Sequence, residues 1–387
     1  MSDTPFKQQR LAAWQPILTP TWVIGTFLII GLIFLPVGIV LKAQSDAVAE
    51  QVIMYDGKDS LSNDCKITAA NENLACTVTF TAEKDMPAPV YVYYELSNFY
   101  QNHRKYVKSL SFTQLRGEES SKSDLDNLCS PLTAVDVGGV EMQLSPCGLV
   151  ANSFFNDVIS INDAISTSTN DFSETGIAWS SDLESKFSQP KGFKTEPCDS
   201  CGSCPQCGQP GWCTGGKRLY SLPIIQTLPN AYTVDGAFVT SFDTNGVALT
   251  CSAYYYPDDA TTHYLYESYP QIVSALVGVK DEHFIVWMRT AGLPTFRKLY
   301  GTISSNVKKG DVIAFDIMNN FNVESFTGTK SLVISTVSWF GGKNPFLGDS
   351  YIVVGAVCIA LAVVFGVKHA VSPRKLGDTK FLVWKDA

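Results

Sequence analysis

Two uninterrupted apolar stretches frame the chain. Trp22 to Leu41 (WVIGTFLIIGLIFLPVGIVL) carries no charge over 20 residues, and Tyr351 to Val367 (YIVVGAVCIALAVVFGV) carries none over 17. At about 1.5 Å of helix rise per residue, such lengths match a hydrocarbon core of about 30 Å. Each stretch therefore predicts a membrane-spanning helix. The first run exceeds the roughly 7 to 15 apolar residues of a cleaved signal, so it is expected to be retained.

Between these stretches the pattern changes to short runs rich in Val, Thr, Tyr and Phe. Ala75 to Thr81, Val90 to Tyr94, Val247 to Tyr256, Phe284 to Met288 and Leu332 to Val337 all predict strands. Most alternate poorly or are apolar throughout, as strands buried on both faces of stacked sheets do. From Gln189 to Lys217 the chain is crowded with Gly, Pro and Cys, and no regular element is expected to persist there. Ser160 to Ser173 is polar and predicts a surface connection.

The expected fold class is a membrane protein with two transmembrane helices and a large, mainly-β ectodomain, antiparallel and β-sandwich-like with long disulfide-stapled loops. The expected organisation is a cytosolic tail over 1–21, spans over 22–41 and 350–370, and a second cytosolic tail over 371–387. An exoplasmic or lumenal β-rich domain fills 42–349, with a Cys-rich insertion over 189–217.

Charge orients this arrangement. Lys7 and Arg10 precede the first span, and Lys368, Arg374, Lys375 and Lys380 follow the second. Basic flanks favour the cytosolic side, so both termini are expected there. Residues 42–350 carry 22 Lys and Arg against 34 Asp and Glu, whereas the remaining tails and spans carry 7 against 3. The acidic bulk is expected to face away from the cytosol.

Cysteine usage agrees with that side. Of 11 cysteines, Cys358 lies in the second apolar stretch and the others lie between the spans. An even set in an oxidising compartment reads as disulfides. Cys65 with Cys76, and Cys129 with Cys147, each close a loop of ordinary size. Cys198, Cys201, Cys204, Cys207 and Cys213 follow a C-x2-C-x2-C-x2-C-x5-C spacing, with Cys251 as a sixth partner. That spacing in a cytosolic protein would suggest zinc or iron and sulfur, but the expected compartment favours disulfides paired in an order that sequence cannot choose.

Catalytic chemistry has little to work with. There is no G-x-x-x-x-G-K-[ST] loop and no Asp-Lys-Thr-Gly-Thr phosphorylation string; Asp243-Thr244-Asn245-Gly246 lacks the lysine and reads as a turn. The four histidines, His103, His263, His283 and His369, show no metal-ligand spacing. No cofactor, no metal and no nucleic-acid partner is expected, and the chain is not expected to be an enzyme. Standard N-x-[ST] sequons do not occur.

Several strings together resemble the cell division control protein 50 family, also called ligand-effect modulators, which are beta subunits of type IV P-type ATPase lipid flippases. They are Phe6 to Pro16 (FKQQRLAAWQP), Asn98 to Ser109 (NFYQNHRKYVKS), Pro146 to Asp157 (PCGLVANSFFND), Gly176 to Phe187 (GIAWSSDLESKF), Phe284 to Ile303 (FIVWMRTAGLPTFRKLYGTI) and Lys330 to Gly348 (KSLVISTVSWFGGKNPFLG). They run in the family's order over nearly the whole chain. The Cys198 to Cys213 insertion and the missing sequons depart from the family pattern.

The resemblance implies a non-catalytic subunit in a heterodimer with a ten-helix ATPase, which carries the ATP site and the lipid path. It implies roles in folding of that partner, exit from the endoplasmic reticulum and phospholipid translocation to the cytosolic leaflet, in the endoplasmic reticulum, Golgi, endosome or plasma membrane. Partner contacts are expected at Asn98, Tyr100, His103, Arg104, Trp339, Lys343 and Asn344, with Trp339 and Phe340 at the membrane interface beside lipids. The competing reading from topology alone is a disulfide-rich cell-surface receptor or adhesion module.

Overall fold

The computed structural model describes residues 6, 19–58, 65–70, 72–167, 171–197, 232–234, 237–242, 248–258 and 260–373, with backbone only for 232–251. The chain divides into two compact units, residues 1–48 with 337–387, and residues 49–336.

The first unit holds two long helices, α1 (Pro20–Ala47) and α8 (Pro345–Val371). Both are long and apolar enough to cross a membrane. Each begins on a proline, which supplies no N–H where the first turn needs none, and the Thr19 side chain caps α1 by accepting from Trp22 N. Both helices run past their uncharged stretches, because the polar ends satisfy each other: Lys42 Nζ lies 2.8 Å from Asp349 Oδ1.

Small residues let these helices approach. Gly31, Gly38 and Ser45 are buried at seven-residue intervals on α1, and Gly348 and Gly355 repeat the interval on α8, followed by buried Ala362. A Cβ at Gly38 would come within 2.7 Å of Ile352 N, and one at Gly355 within 2.8 Å of Leu35 N. The backbones are therefore in direct contact, as packing without a hydrophobic driving force in lipid requires. Residues such as Ile29, Leu32, Ile33, Val363 and Val364 are left exposed on the outer faces, where lipid is their natural solvent.

The second unit is built on two sheets around one core. The larger runs β1 (Glu50–Gly57), β15 (Thr329–Ser335), β3 (Val90–Ser97), β13 (Phe296–Ile303) and β7 (Phe172–Ser173) in spatial order, all antiparallel. The smaller runs β2 (Leu74–Thr81), β14 (Val312–Asn319) and β6 (Val158–Ile161), also antiparallel. Val90, Val92, Tyr94 and Leu96 of β3 share a single buried cluster with Val78 and Phe80 of β2 and Ile313, Phe315 and Ile317 of β14. Tyr94 stacks on Phe155 at 3.8 Å between ring centres.

Smaller sheets flank these. One is β12 (Thr262–Tyr264), β5 (Val140–Ser145) and β4 (Ala134–Val137), with β12 parallel to β5. Another is β8 (Lys194–Pro197), β11 (Ala248–Tyr255), β10 (Ala237–Phe242) and β9 (Tyr232–Val234). Short helices α2 (Arg104–Lys108), α3 (Phe112–Leu115), α4 (Lys122–Cys129), α5 (Ser180–Ser185), α6 (Leu265–Ser268) and α7 (Glu282–Met288) fill the long connections. Disulfides join Cys65 to Cys76 and Cys129 to Cys147, the latter tying the end of α4 to the turn after β5. Cys358 is free and buried. Cys198, Cys201, Cys204, Cys207 and Cys213 lie outside the described residues, as does the side chain of Cys251.

Three expectations from the sequence change. Phe284 to Met288 is not a strand but the body of α7, because Asp281 caps it by accepting from Phe284 N at 2.9 Å and Glu282 occupies the first turn. At its other end Lys298 Nζ donates to the carbonyls of Val286 and Trp287 at 3.0 Å each, and to that of Arg289. Four residues of the Gly, Pro and Cys-rich segment do form a strand, β8, paired with β11. Finally, β2 and β3 alternate cleanly: Thr77, Thr79 and Thr81 face outward while Cys76, Val78 and Phe80 face the core. Among the described side chains, those of β15 are buried along nearly the whole strand.

Candidate functional site

The residues expected to meet a partner fall into two groups, one in each unit. In the ectodomain, β3 ends at Ser97 and Asn98 turns the chain with φ of +58°, a left-handed conformation that Asn tolerates better than most residues. Its side-chain amide is occupied inside the molecule, donating to Phe326 O at 2.6 Å and to Thr327 Oγ1 at 3.2 Å. Asn98 thus shapes the loop.

Those neighbours are held rigidly. Phe99 N donates to Pro294 O at 3.0 Å, Asn102 Nδ2 to Gly292 O at 2.9 Å, and buried Gln101 accepts from Ala291 N at 2.8 Å. The loop is thereby fastened to residues 291–294. Tyr100 is 55% exposed and Leu293 69%, so each presents apolar surface from this frame.

His103, Arg104, Lys105 and Lys108 follow. The chain makes a turn of helix here, α2, with His103 at its N-cap. Tyr106 points inward and its hydroxyl lies 2.8 Å from Ser153 Oγ, while His103, Arg104, Lys105 and Lys108 point outward. No ion pair engages Arg104, Lys105 or Lys108 among the described residues. A fixed basic face of this kind suits an acidic partner surface.

The second group lies where the chain enters α8. Ser338 and Gly341 exchange two backbone hydrogen bonds at 2.9 Å, and Gly341 has φ of +117°. This turn projects Trp339 and Phe340, whose rings sit edge to face with centres 5.6 Å apart. Trp339 is 75% exposed. Lys343 is also exposed, whereas Asn344 is fixed through its backbone, N–H to Ser45 Oγ at 2.9 Å. Exposed aromatic and basic side chains beside a spanning helix match the residues that anchor proteins at the lipid headgroup level.

A feature that sequence reasoning missed lies beneath both sheets. Lys330 Nζ on β15 is 2.9 Å from Asp157 Oδ2 and 3.3 Å from Asp56 Oδ2, all three side chains being wholly buried. Asp157 also accepts from Tyr55 Oη at 2.7 Å and from the backbone of Asn320 and Phe321. Asn319 at the end of β14 receives the Lys330 ammonium and donates to Asp56 at 3.0 Å. The signal was present, since charged residues stood at the ends of two apolar strings, Asp157 closing SFFND and Lys330 opening KSLVIS.

Comparison with known proteins decides the family. Residues 41–375 match the model of the LEM3 (ligand-effect modulator 3) family / CDC50 family. The chain belongs to the CDC50/LEM3 family. Its relatives match along almost their full length. ALA-interacting subunit 3 of Arabidopsis thaliana is 38% identical, covering 98% of this chain and 89% of the relative. Cell cycle control protein 50A of Bos taurus is 36% identical over 94% and 87% respectively. Phospholipid-transporting ATPase accessory subunit CRF1 of Saccharomyces cerevisiae is 31% identical over 100% and 89%. With two helices fit to cross a bilayer and this family, the chain is an integral membrane protein.

Proposed function

We propose that this chain is the non-catalytic accessory subunit of a phospholipid-transporting type IV P-type ATPase. The observation that carries the proposal is the match to the CDC50/LEM3 family over residues 41–375, together with a full-length relative named a phospholipid-transporting ATPase accessory subunit. Names of this kind favour an accessory subunit over a receptor or adhesion module. The chain has no phosphate-binding loop and no aspartyl-phosphate string, so ATP use belongs to the partner.

In this arrangement both termini are cytosolic, and residues 42–349 lie in the lumen of the secretory pathway or outside the cell. The basic flanks of the two spans and the disulfide-bonded ectodomain support that orientation. The partner contacts are Tyr100, His103, Arg104, Trp339 and Lys343, with Asn98 and Asn344 holding the loops that present them. A subunit that binds one pump conformation better than another shifts the transport cycle toward it, and one that binds only the folded pump stabilises it for export.

Affinity purification of the tagged chain in mild detergent tests this, the expected result being a co-purifying P-type ATPase much larger than the bait. Arg104→Ala with Lys105→Ala and Lys108→Ala is expected to reduce recovery of that ATPase while leaving the unfolding temperature unchanged. Recovery of the chain alone overturns the assignment.

A further inference from the structure

Lys298 is a buried cation without a counter-ion. It sits in β13 with 6% of its surface exposed, and its Nζ stands 5.7 Å from the centre of the Trp287 ring and 5.6 Å from that of Phe296. No carboxylate pairs with it among the described residues. Its three hydrogens go to backbone carbonyls instead, those of Val286 and Trp287 at 3.0 Å each and that of Arg289.

The three carbonyls are not equivalent. Val286 and Trp287 lie within α7 and the helix fixes their direction, whereas Arg289 follows it with φ of −78° and ψ of 92°, outside the helical range. The bond from Lys298 therefore ties the departing backbone to the helix end. Outside, the Arg289 side chain donates from Nε to Asp182 Oδ2 at 2.6 Å, and its guanidinium lies 4.2 Å from the centre of the Trp179 ring. Two residues further on begins the 291–294 segment, which bonds to Phe99, Gln101 and Asn102 and so frames exposed Tyr100 and Leu293.

An ammonium donates three hydrogen bonds, whereas a neutral amine donates two and turns a lone pair toward whatever stood at the third. Loss of the proton thus forfeits one bond, and the Arg289 carbonyl, the one that no helix holds, is set free. We propose that Lys298 is a proton-dependent positioning residue for the Tyr100 loop: its ammonium keeps the 291–294 frame in the form that meets the partner, and its amine lets that frame loosen. The proposal rests on the partner contacts assigned above.

The charges around Lys298 set the direction of the response. Arg289 at the end of α7 repels it, and Asp182 on α5 pairs with Arg289. Tyr94 is its cross-strand neighbour on β3 and Tyr300 lies two residues along β13, while Arg297 and Glu95 pair at 2.6 Å on the opposite face of the sheet. Glu282 and His283 stand at the far end of α7. Burial pushes the Lys298 ammonium down to about 7, and the charge of Arg289 adds to the depression. Lys298 is therefore charged below that value and neutral above it, so partner binding weakens as pH rises through about 7. A neutral amine suits these apolar surroundings, which keeps the change local.

Hydrogen–deuterium exchange of the purified full-length chain in detergent, read by mass spectrometry at about pH 6 and about pH 8 and corrected for intrinsic exchange, tests the device without the ATPase. The bonded amides of Phe99 and Ala291 report on the frame. Their protection is expected to fall about threefold to tenfold from the lower pH to the higher, in the native chain and in His283→Gln alike, while peptides of β14 stay unchanged. Lys298→Met is expected to show the loosened level at both pH values. Lys298→Arg, whose guanidinium stays charged throughout, is expected to show no pH dependence and serves if the Met variant does not fold. Capture of the ATPase by the native chain is expected to weaken over the same range, and capture by the Lys298 variants to stay level. Equal protection at both pH values in the native chain, a pH dependence that survives in whichever Lys298 variant folds, or one that vanishes in His283→Gln would overturn the device. Recovery of no ATPase at either pH, with exchange behaving as expected, would instead overturn the partner reading alone.

Discussion

Lys330 Nζ approaches Asp157 Oδ2 to 2.9 Å with neither side chain reaching solvent, and this contact joins the two sheets of the ectodomain. Lys330 belongs to β15 of the larger sheet, and Asp157 immediately precedes β6 of the smaller. Taking both charges out of water is costly, and only the additional bonds from Tyr55, Asn319, Asn320 and Phe321 offset that cost. The network thus serves to fix how the sheets are aligned more than to add net stability.

Removing the lysine alone should be severe. Lys330→Met leaves Asp157 and Asp56 buried without their cation, and a loss of about 3 to 5 kcal/mol is expected. Combining it with Asp157→Asn should restore part of that loss. Thermal unfolding of the tagged chain, followed by fluorescence-detected size exclusion, checks both results.

The disulfide between Cys129 and Cys147 closes a loop with a sequence separation of 18. Replacing either cysteine with Ser is expected to cost about 2 to 5 kcal/mol and to hold the chain in the endoplasmic reticulum. Microscopy of the tagged variant reads the outcome, and normal localisation of either single mutant would contradict it.

Gly148, in the turn beside that disulfide, has φ of +100°, and a Cβ there would collide with the carbonyl of Ser109. Gly138 has φ of +65° with open space around it. Both Ala variants carry backbone strain of about 1 to 2 kcal/mol, but only Gly148→Ala adds a collision with backbone. Gly148→Ala is therefore expected to lower the unfolding temperature clearly more than Gly138→Ala in parallel melts.

His283 makes ectodomain stability depend on pH. Although burial disfavours its charged form, the bond to Glu174 and the neighbouring acids raise its pKa above the unfolded value, so the folded state binds the proton more tightly. Its contribution is fully present below the unfolded value of about 6.5 and is lost as pH rises through the folded one. Unfolding temperatures measured across that window should fall with rising pH in the native chain, and fall less in His283→Gln.

Legibility in the sequence followed the range of the interaction involved. The spanning helices were readable because an uncharged run of fixed length has one cheap solution in a bilayer. The pairing of Gly38 with Ile352 was not, since it depends on which faces meet. Phe284 to Met288 looked like a strand because a short apolar run has no period that separates strand from buried helix. The deciding residue, Asp281, stood just before the run in plain view. Of the expected contact residues, Arg104 is outward-facing while Asn98 bonds internally, a difference set by the distant Phe326–Thr327 turn. Likewise, nothing in the string around His283 announces Glu174, which is 109 positions away.

This chain acts through a catalytic partner. The most direct measurement is ATP-driven flux of a fluorescent phospholipid in vesicles reconstituted with the co-purified ATPase, with and without this chain. Flux is expected only when both polypeptides are present, with no ATP hydrolysis by this chain alone. Equal flux from the ATPase by itself, or ATP turnover by this chain in isolation, would contradict it.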